Sequence, residues 1–524
     1  MKDTFFQLLL LCILFWGCTI NDKDFQIKGV QSNPTLVVPL ATGNLSILDI
    51  LEQQDSSYIK IKGDGLIYFG YDTALISSDI RNLITIPNLG NLTTAVSVPA
   101  GTYPANPNDY NSTSINQVVD LGITPEKLTE ILFKSGTLSY TMSLSPSNNN
   151  FLYAVMLAIP EFTSNTTGAG LSQEVSGNGS IQLSNYIFKN ATANKFSLQL
   201  TLVVKKNAKS TVIPPGTNLN VTISFAGMNF KYVKGFFGDQ IAKPPAQTID
   251  IGAFSPSLPK GASVSFAQPT IDFTVVSDYG VPLTVSFTKL EARKQGTALA
   301  MQTNPSSPIT ITAPAILGSS ASTLVSVSNV KQVVDFEPTQ FYYQVSGHIN
   351  TGLTSGNNFM ADTSQLRVKL HAEVPLYGTA SNILMADTVD VNLSDLEQSK
   401  IDSAWLKASA INELPIDANL QFILTDAKYV FIDSLLSSSQ TGIIKGSSVD
   451  SNGELKSPGS FDQLIKLQPD KVSKIFKARK IIIKAKLNTS KNASGTAVDV
   501  KFKSQYKINV KLGLRTKLKV IATF

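Results

Sequence analysis

Short apolar or alternating runs, separated by clusters of Gly, Pro, Asn and Ser, recur along almost the whole chain. That spacing predicts an all-β fold of tandem β-sandwich or immunoglobulin-like domains with few short helices. Residues 58–62 and 66–69 flank Gly63-Asp64-Gly65, which reads as a tight hairpin because Asp-Gly suits such turns and Gly tolerates positive φ. The clearest alternation comes last. Val498, Val500, Phe502, Tyr506, Ile508, Val510 and Leu512 share one strand face, and Lys501, Lys503, Lys507 and Lys511 share the other. Residues 480–487 alternate similarly, so the two runs are expected to form one hairpin with a basic face. That face reads first as a guard on an exposed strand and, as the alternative, as a contact for anionic lipid, lipopolysaccharide or an acidic partner.

Three helical signals interrupt the strands. Asn44 to Leu51 predicts a short capped helix. Thr124-Pro125-Glu126 offers a helix start, with proline at the first helical position, that residues 128–133 continue to Gly136. Ser394-Asp395-Leu396-Glu397 has the spacing of a capping box ahead of Trp405. Two segments, Asp278 to Phe287 and Asn412 to Phe422, share a pattern of strand, proline-closed bend and second strand, as tandem domains would.

The first residues follow a different pattern. An apolar run from Phe5 to Trp16, broken only by Gln7, precedes Gly17-Cys18 and a polar stretch. The run falls short of the ~20 residues a spanning helix needs and has a signal-peptide layout. Of two cysteines, Cys12 lies inside that run, so cleavage would leave Cys18 as a single thiol with no disulfide partner. Residues 14–18 resemble a lipobox, which implies a diacylated Cys18 with enough lipid for stable anchoring. The acidic residues at Asp22 and Asp24 resemble the surface-export signal of Bacteroidota lipoproteins. With Val374-Pro375-Leu376-Tyr377-Gly378-Thr379-Ala380-Ser381, these features resemble the large outer-membrane lipoproteins of that group, and the resemblance implies an outer-membrane, lipid-anchored location, with the periplasmic side or the cell surface both open.

Composition narrows the function. The 524 residues, 43% hydrophobic and 16% charged, suffice for several cores. The expected order is a signal peptide over 1–17, a flexible tether over 18–32, a β-rich module over 33–118, sandwiches over 119–250 and 251–378, and a C-terminal β domain over 379–524. His348 and His371 are the only histidines, which argues against a histidine-ligated metal or a general-base histidine. No nucleophile elbow, phosphate loop, dinucleotide or zinc motif occurs. Asp450-Ser451-Asn452-Gly453-Glu454 starts like a calcium loop, but Phe461 stands where the bidentate acid belongs, so it reads as a turn. Glu161, Glu174, Asp272 and Asp417 read as turn or strand-face acids. Tyr342-Tyr343 reads as one ring in and one ring out rather than a sugar platform.

The reading is a non-enzymatic envelope lipoprotein with no cofactor and a binding or scaffolding role. Its expected partners are the membrane through Cys18 and either an outer-membrane β-barrel or an anionic glycan or lipid; nucleic acid is not among them. Two alternatives remain open: a glycan-binding or glycan-cleaving surface protein, and a lipid carrier, which would need an elongated apolar cavity.

Overall fold

The computed structural model describes residues 30–51, 58–78, 84–192, 194–251, 262–394, 396–436, 442–446, 448–490 and 497–522. The expected signal peptide, Cys18 and most of the tether lie outside these residues. The tether's last residues, Val30–Ser32, form a strand paired with Val520–Ala522. The described chain is all-β, built of antiparallel sheets with short helices between them.

The strands gather into two compact units, each drawn from separated parts of the sequence. One comprises residues up to 68, 257–267 and 376–524; the other comprises 69–256 and 268–375. These borders are not those of consecutive domains. The expected border at 118/119 falls inside the strand Tyr110–Asp120, and that at 378/379 inside Tyr377–Ser381.

In the first unit, one sheet has the order Thr35–Ser46, Lys507–Leu518, Ile401–Asn412, Gly459–Leu467. A second runs Ile383–Asp390, Lys480–Thr489, Ile416–Thr425, Phe431–Ser434. The expected hairpin of 480–487 with the last long strand therefore does not form. Each strand is central in its own sheet, with both edges already paired, so neither has an edge left for the other. The last strand is also not continuous. Val500–Lys501 pairs with Tyr377–Ser381, a turn follows, and a new strand runs from Lys507 to Leu518. Its expected inward set nevertheless holds from Val500 on, with Val500, Phe502, Tyr506, Ile508, Val510 and Leu512 all buried, while Val498 is only half-buried. Gly43 approaches the second sheet so closely that a β-carbon there would lie 2.4 Å from Ile483 Cδ1.

Local signals near the start hold with adjustments. Residues 59–61 and 67–78 form the predicted hairpin, with Gly65 at φ 88° donating its N–H to the Lys62 carbonyl. The first helix is only Ile47–Leu51, and its cap is Ser46 rather than Asn44. Ser46 Oγ accepts from Leu48 N at 3.0 Å while Asp49 Oδ2 accepts from Ser46 N at 3.0 Å, a reciprocal cap.

In the second unit, a ten-stranded sheet carries two 19-residue strands, Lys127–Ser145 and Asn218–Phe236, paired along most of their length. The helix expected from Thr124-Pro125-Glu126 to Gly136 does not form, and from Lys127 on its residues belong to the first of these strands. Ladder bonds to Asn218–Phe236 and burial of Leu128, Ile131 and Phe133 outweigh the local helical signal. The sheet curls until Thr94 Oγ1 donates to Gln117 Oε1 across its far edges at 2.6 Å. Inside, Phe133, Phe162, Phe188, Phe196 and Phe225 pack with centroids 5.1–6.2 Å apart. Each such ring contributes about 1.5–3 kcal/mol by leaving water. The capping box expected at Ser394 yields only a 3-10 turn, Gln398–Lys400; Asp395 is outside the described residues.

Candidate functional site

The second unit also holds a sandwich. One sheet is centred on Thr270–Ser277, flanked by Ala321–Val327 and Leu366–Pro375. The other is centred on Gln340–Ile349, paired with Leu283–Lys294 on one side and with Gln240–Ala242 and Gln247–Asp250 on the other. Period-two alternation turns Leu283, Val285 and Phe287 inward from one strand, and Tyr343, Val345 and Ile349 from its neighbour. Phe273, Val275, Val325, Leu366 and Val368 face them from the opposite sheet, and between the two sets lies a cavity of about 130 Å³.

Two sequence features account for the space. Gly347 contributes no side chain to the lining, and a β-carbon there would meet Leu283 Cδ1 at 3.6 Å, an ordinary contact. Pro244-Pro245 interrupts the edge strand, because proline has no N–H to donate to a ladder. The edge resumes only at Gln247, so residues 344–346 have no partner strand on that side, and Pro244 borders the cavity there. Val285, Phe287, Val345, Leu366 and Val368 are only half-buried, which marks where the cavity meets solvent. The Phe273 and Phe287 rings span the two sheets with centroids 6.4 Å apart.

The lining is almost wholly hydrocarbon. Gln240 is the most polar side chain on it, and its amide donates to Glu126 Oε1 at 2.7 Å and to the Phe237 carbonyl at 2.6 Å. Burial raises the Tyr343 pKa, which keeps that phenol neutral. The space is about that of one benzene ring, and the hydrocarbon walls lack dispersion partners on the side that faces it.

A second concavity is polar. Lys134, Ser135, Asn229, Phe230 and Asp362 line an open cleft of about 710 Å³, floored by Ile84, Ile86 and Met228. Lys134 Nζ lies 2.5 Å from Asp362 Oδ2, and Asn229 Nδ2 donates to Ser135 Oγ at 2.9 Å. Beyond it on the same pair of strands, Glu130 Oε1 accepts from Tyr232 at 2.5 Å and from Lys234 at 3.1 Å. Burial, then the bond to Glu130, pushes the Tyr232 phenol up to about 12.

The four lysines expected on one face separate into two kinds. Lys503 is buried, with Nζ 3.0 Å from Glu454 Oε2 and 3.8 Å from Asp64 Oδ2. Lys501 reaches Glu454 Oε1 at 3.2 Å and lies over the Tyr377 ring. Those two ammonium groups hold Glu454 below the usual carboxylate range, the Lys503 bond being the larger influence. Only Lys507 and Lys511 face outward and exposed.

Other expected positions take structural roles. Asp450 Oδ1 accepts from the Asn452 and Glu454 N–H groups, so that segment is a turn. Tyr343 faces the cavity, while the Tyr342 ring meets the Arg293 guanidinium at 3.6 Å. His348 lies 2.5 Å from Asp239, and His371 lies 2.7 Å from Asp72. Glu161 accepts from Ser197 N, Glu174 pairs with Lys205, and Asp417 accepts from Gly446 N and Ser490 Oγ. Asp272 lies within the strand Thr270–Ser277. Among the described residues no three His, Cys, Asp or Glu side chains converge as a metal site would require. In the sequence this cavity is marked only by a glycine inside a strand pattern, Gly347, and by the Pro244-Pro245 pair.

No protein-family model matches this chain, and no curated protein matches it. Among solved structures, a "putative secreted protein" from Parabacteroides distasonis ATCC 8503 aligns over 92% of this chain and 99% of that one, with 11% identity and a TM-score of 0.30.

Proposed function

We propose that the chain is an exported envelope protein, anchored through Cys18, that acts without catalysis by holding a small apolar group in the sandwich of its second unit. The cavity between Phe273, Val275, Leu283, Val345 and Gly347 carries this reading. Its volume sets the ligand's size. About six carbons fit, such as one aromatic ring or the end of one acyl chain, and a whole diacyl lipid does not. With so few polar atoms on the walls, selectivity would come from shape rather than hydrogen bonds.

The test is a thermal-unfolding series with hexane, cyclohexane and benzene. Binding to the folded state alone raises Tm with ligand concentration. Gly347→Val, which fills the space, should remove the rise. A Tm that ignores all three ligands, or rises equally in the variant, would sink the reading.

A second reading, a surface glycan binder, draws on the polar cleft. Lys134, Ser135, Asn229 and Asp362 offer hydrogen-bonding groups beside the half-buried Phe230 ring, the combination that sugar hydroxyls and an apolar sugar face require. Retention of an oligosaccharide on a glycan array, lost in Asp362→Ala, is the outcome this reading requires.

A further inference from the structure

In the first unit, residues 426–430 join the strands Ile416–Thr425 and Phe431–Ser434 into a hairpin. Its tip presents Tyr429, Val430 and Phe431 to solvent at 58%, 60% and 63% exposure. Three consecutive large apolar side chains in the open are unusual on a polar surface. The turn is held rather than loose. Asp426 Oδ1 accepts from Lys428 N at 2.8 Å and from Val430 N at 2.9 Å, and Tyr429 adopts φ 64°.

The tip's neighbours are mainly cationic. Lys428 lies within it, and Lys480 Nζ stands 5.3 Å from the Tyr429 ring. Arg479 is fixed beside it by its N–H bond to the Thr425 carbonyl, and Lys477 closes the helix Pro469–Lys477 two residues earlier. The nearby acids are Asp426, engaged in the turn, Asp390, 2.8 Å from Lys480, and Asp433, two residues beyond Phe431 and paired with Lys471 and Lys474.

Topology adds a second observation. Only residues 413–415 separate Ile401–Asn412 from Ile416–Thr425, so Ile401 and Thr425 share one end of the unit. Ile401 pairs with Leu518, and Thr35 with Lys517, so the chain coming from Cys18 enters at that same end. Leu36, Val37 and Val520, all exposed, lie there too.

We infer that this end of the unit docks on an anionic bilayer surface, with Tyr429, Val430 and Phe431 entering the headgroup region and the surrounding lysines and arginine meeting lipid phosphates. Apolar side chains ringed by Lys and Arg match such an interface, where one part enters the hydrocarbon boundary and the other stays with charge. The inference shares the Cys18 anchor with the proposed function, but the tip's own affinity does not depend on that anchor.

The experiment therefore uses the chain from residue 18 onward, freed of the apolar run of residues 5–16 and carrying Cys18→Ser so that it cannot be acylated, and vesicles of phosphatidylcholine with or without phosphatidylglycerol. The chain should sediment with the anionic vesicles at low salt. The double substitution Val430→Ser, Phe431→Ser should weaken binding by about tenfold or more. Both positions are exposed, and unchanged Trp405 fluorescence would verify folding. Val430→Trp should shift its emission to the blue on anionic vesicles. No sedimentation of the Cys18→Ser chain, or equal binding by the double variant, would overturn the inference even if the native chain proves to be acylated. Equal binding to both vesicle types would overturn its anionic part. Binding by the Cys18→Ser chain, with acylation absent in the native one, would leave the inference standing and remove the anchor.

Discussion

Gly347 and Leu283 lie on adjacent strands, and a β-carbon on Gly347 would sit 3.6 Å from Leu283 Cδ1 without displacing it. The position is therefore open to a side chain. Gly347→Ala should raise stability by about 0.5–1 kcal/mol, since it lowers unfolded-chain entropy and adds contacts where the wall has none. Urea unfolding should show a higher midpoint with an unchanged slope. A lower midpoint would mean that the backbone at this position resists a side chain.

Asp433 carries a pH dependence. Its carboxyl lies 2.8 Å from both Lys471 and Lys474 on the helix Pro469–Lys477. Burial alone would raise its pKa, but the bonds from the two lysines outweigh that and hold it at about 2. Because the folded value is depressed, the contribution is present above the unfolded pKa near 4 and is lost as pH falls through 2. It should amount to about 2 kcal/mol. Asp433→Asn should be less stable than the native chain at pH 7, and the difference should shrink progressively below pH 4. A difference that is constant from pH 7 to pH 2 would contradict this account.

The buried ammonium of Lys503 makes Glu454 a structural acid. Glu454→Ala would leave Lys503 with the more distant Asp64 and should cost about 2–3 kcal/mol. Lys507→Ala and Lys511→Ala, at exposed positions, should change stability by less than about 0.5 kcal/mol. Comparable losses in all three variants, measured by denaturant unfolding, would refute the distinction.

Acylation at Cys18 can be tested without any structural readout. In a bacterium with lipoprotein processing, an alkynyl palmitate should label the native chain and fail to label Cys18→Ala. Labelling that survives the substitution would move the lipid elsewhere.

Side-chain alternation was the strongest guide the chain offered, and it served where information was local. Inward burial at Val500, Phe502, Tyr506, Ile508, Val510 and Leu512, the hairpin at Gly63-Asp64-Gly65 and the turn at Asp450 depend on neighbours a few residues away. So does the division of Tyr342 from Tyr343. What alternation left open is which strand lies beside which. Residues 128–133 follow a favourable helix start, yet they form a strand because Thr129, Ile131 and Phe133 suit one and Asn218–Phe236 supplies a ladder from some hundred positions downstream.

The sequence by itself determined the all-β character and which face of many strands turns inward, because a period of two is written in adjacent residues. Only the tertiary structure decided that Lys480–Thr489 and Lys507–Leu518 belong to different sheets, that Gly347 and Pro244 border one cavity, and that the Tyr429 tip shares an end with Thr35. Each of these depends on pairings between segments distant in the chain, and those are selected by competition among many apolar strand faces for the same core.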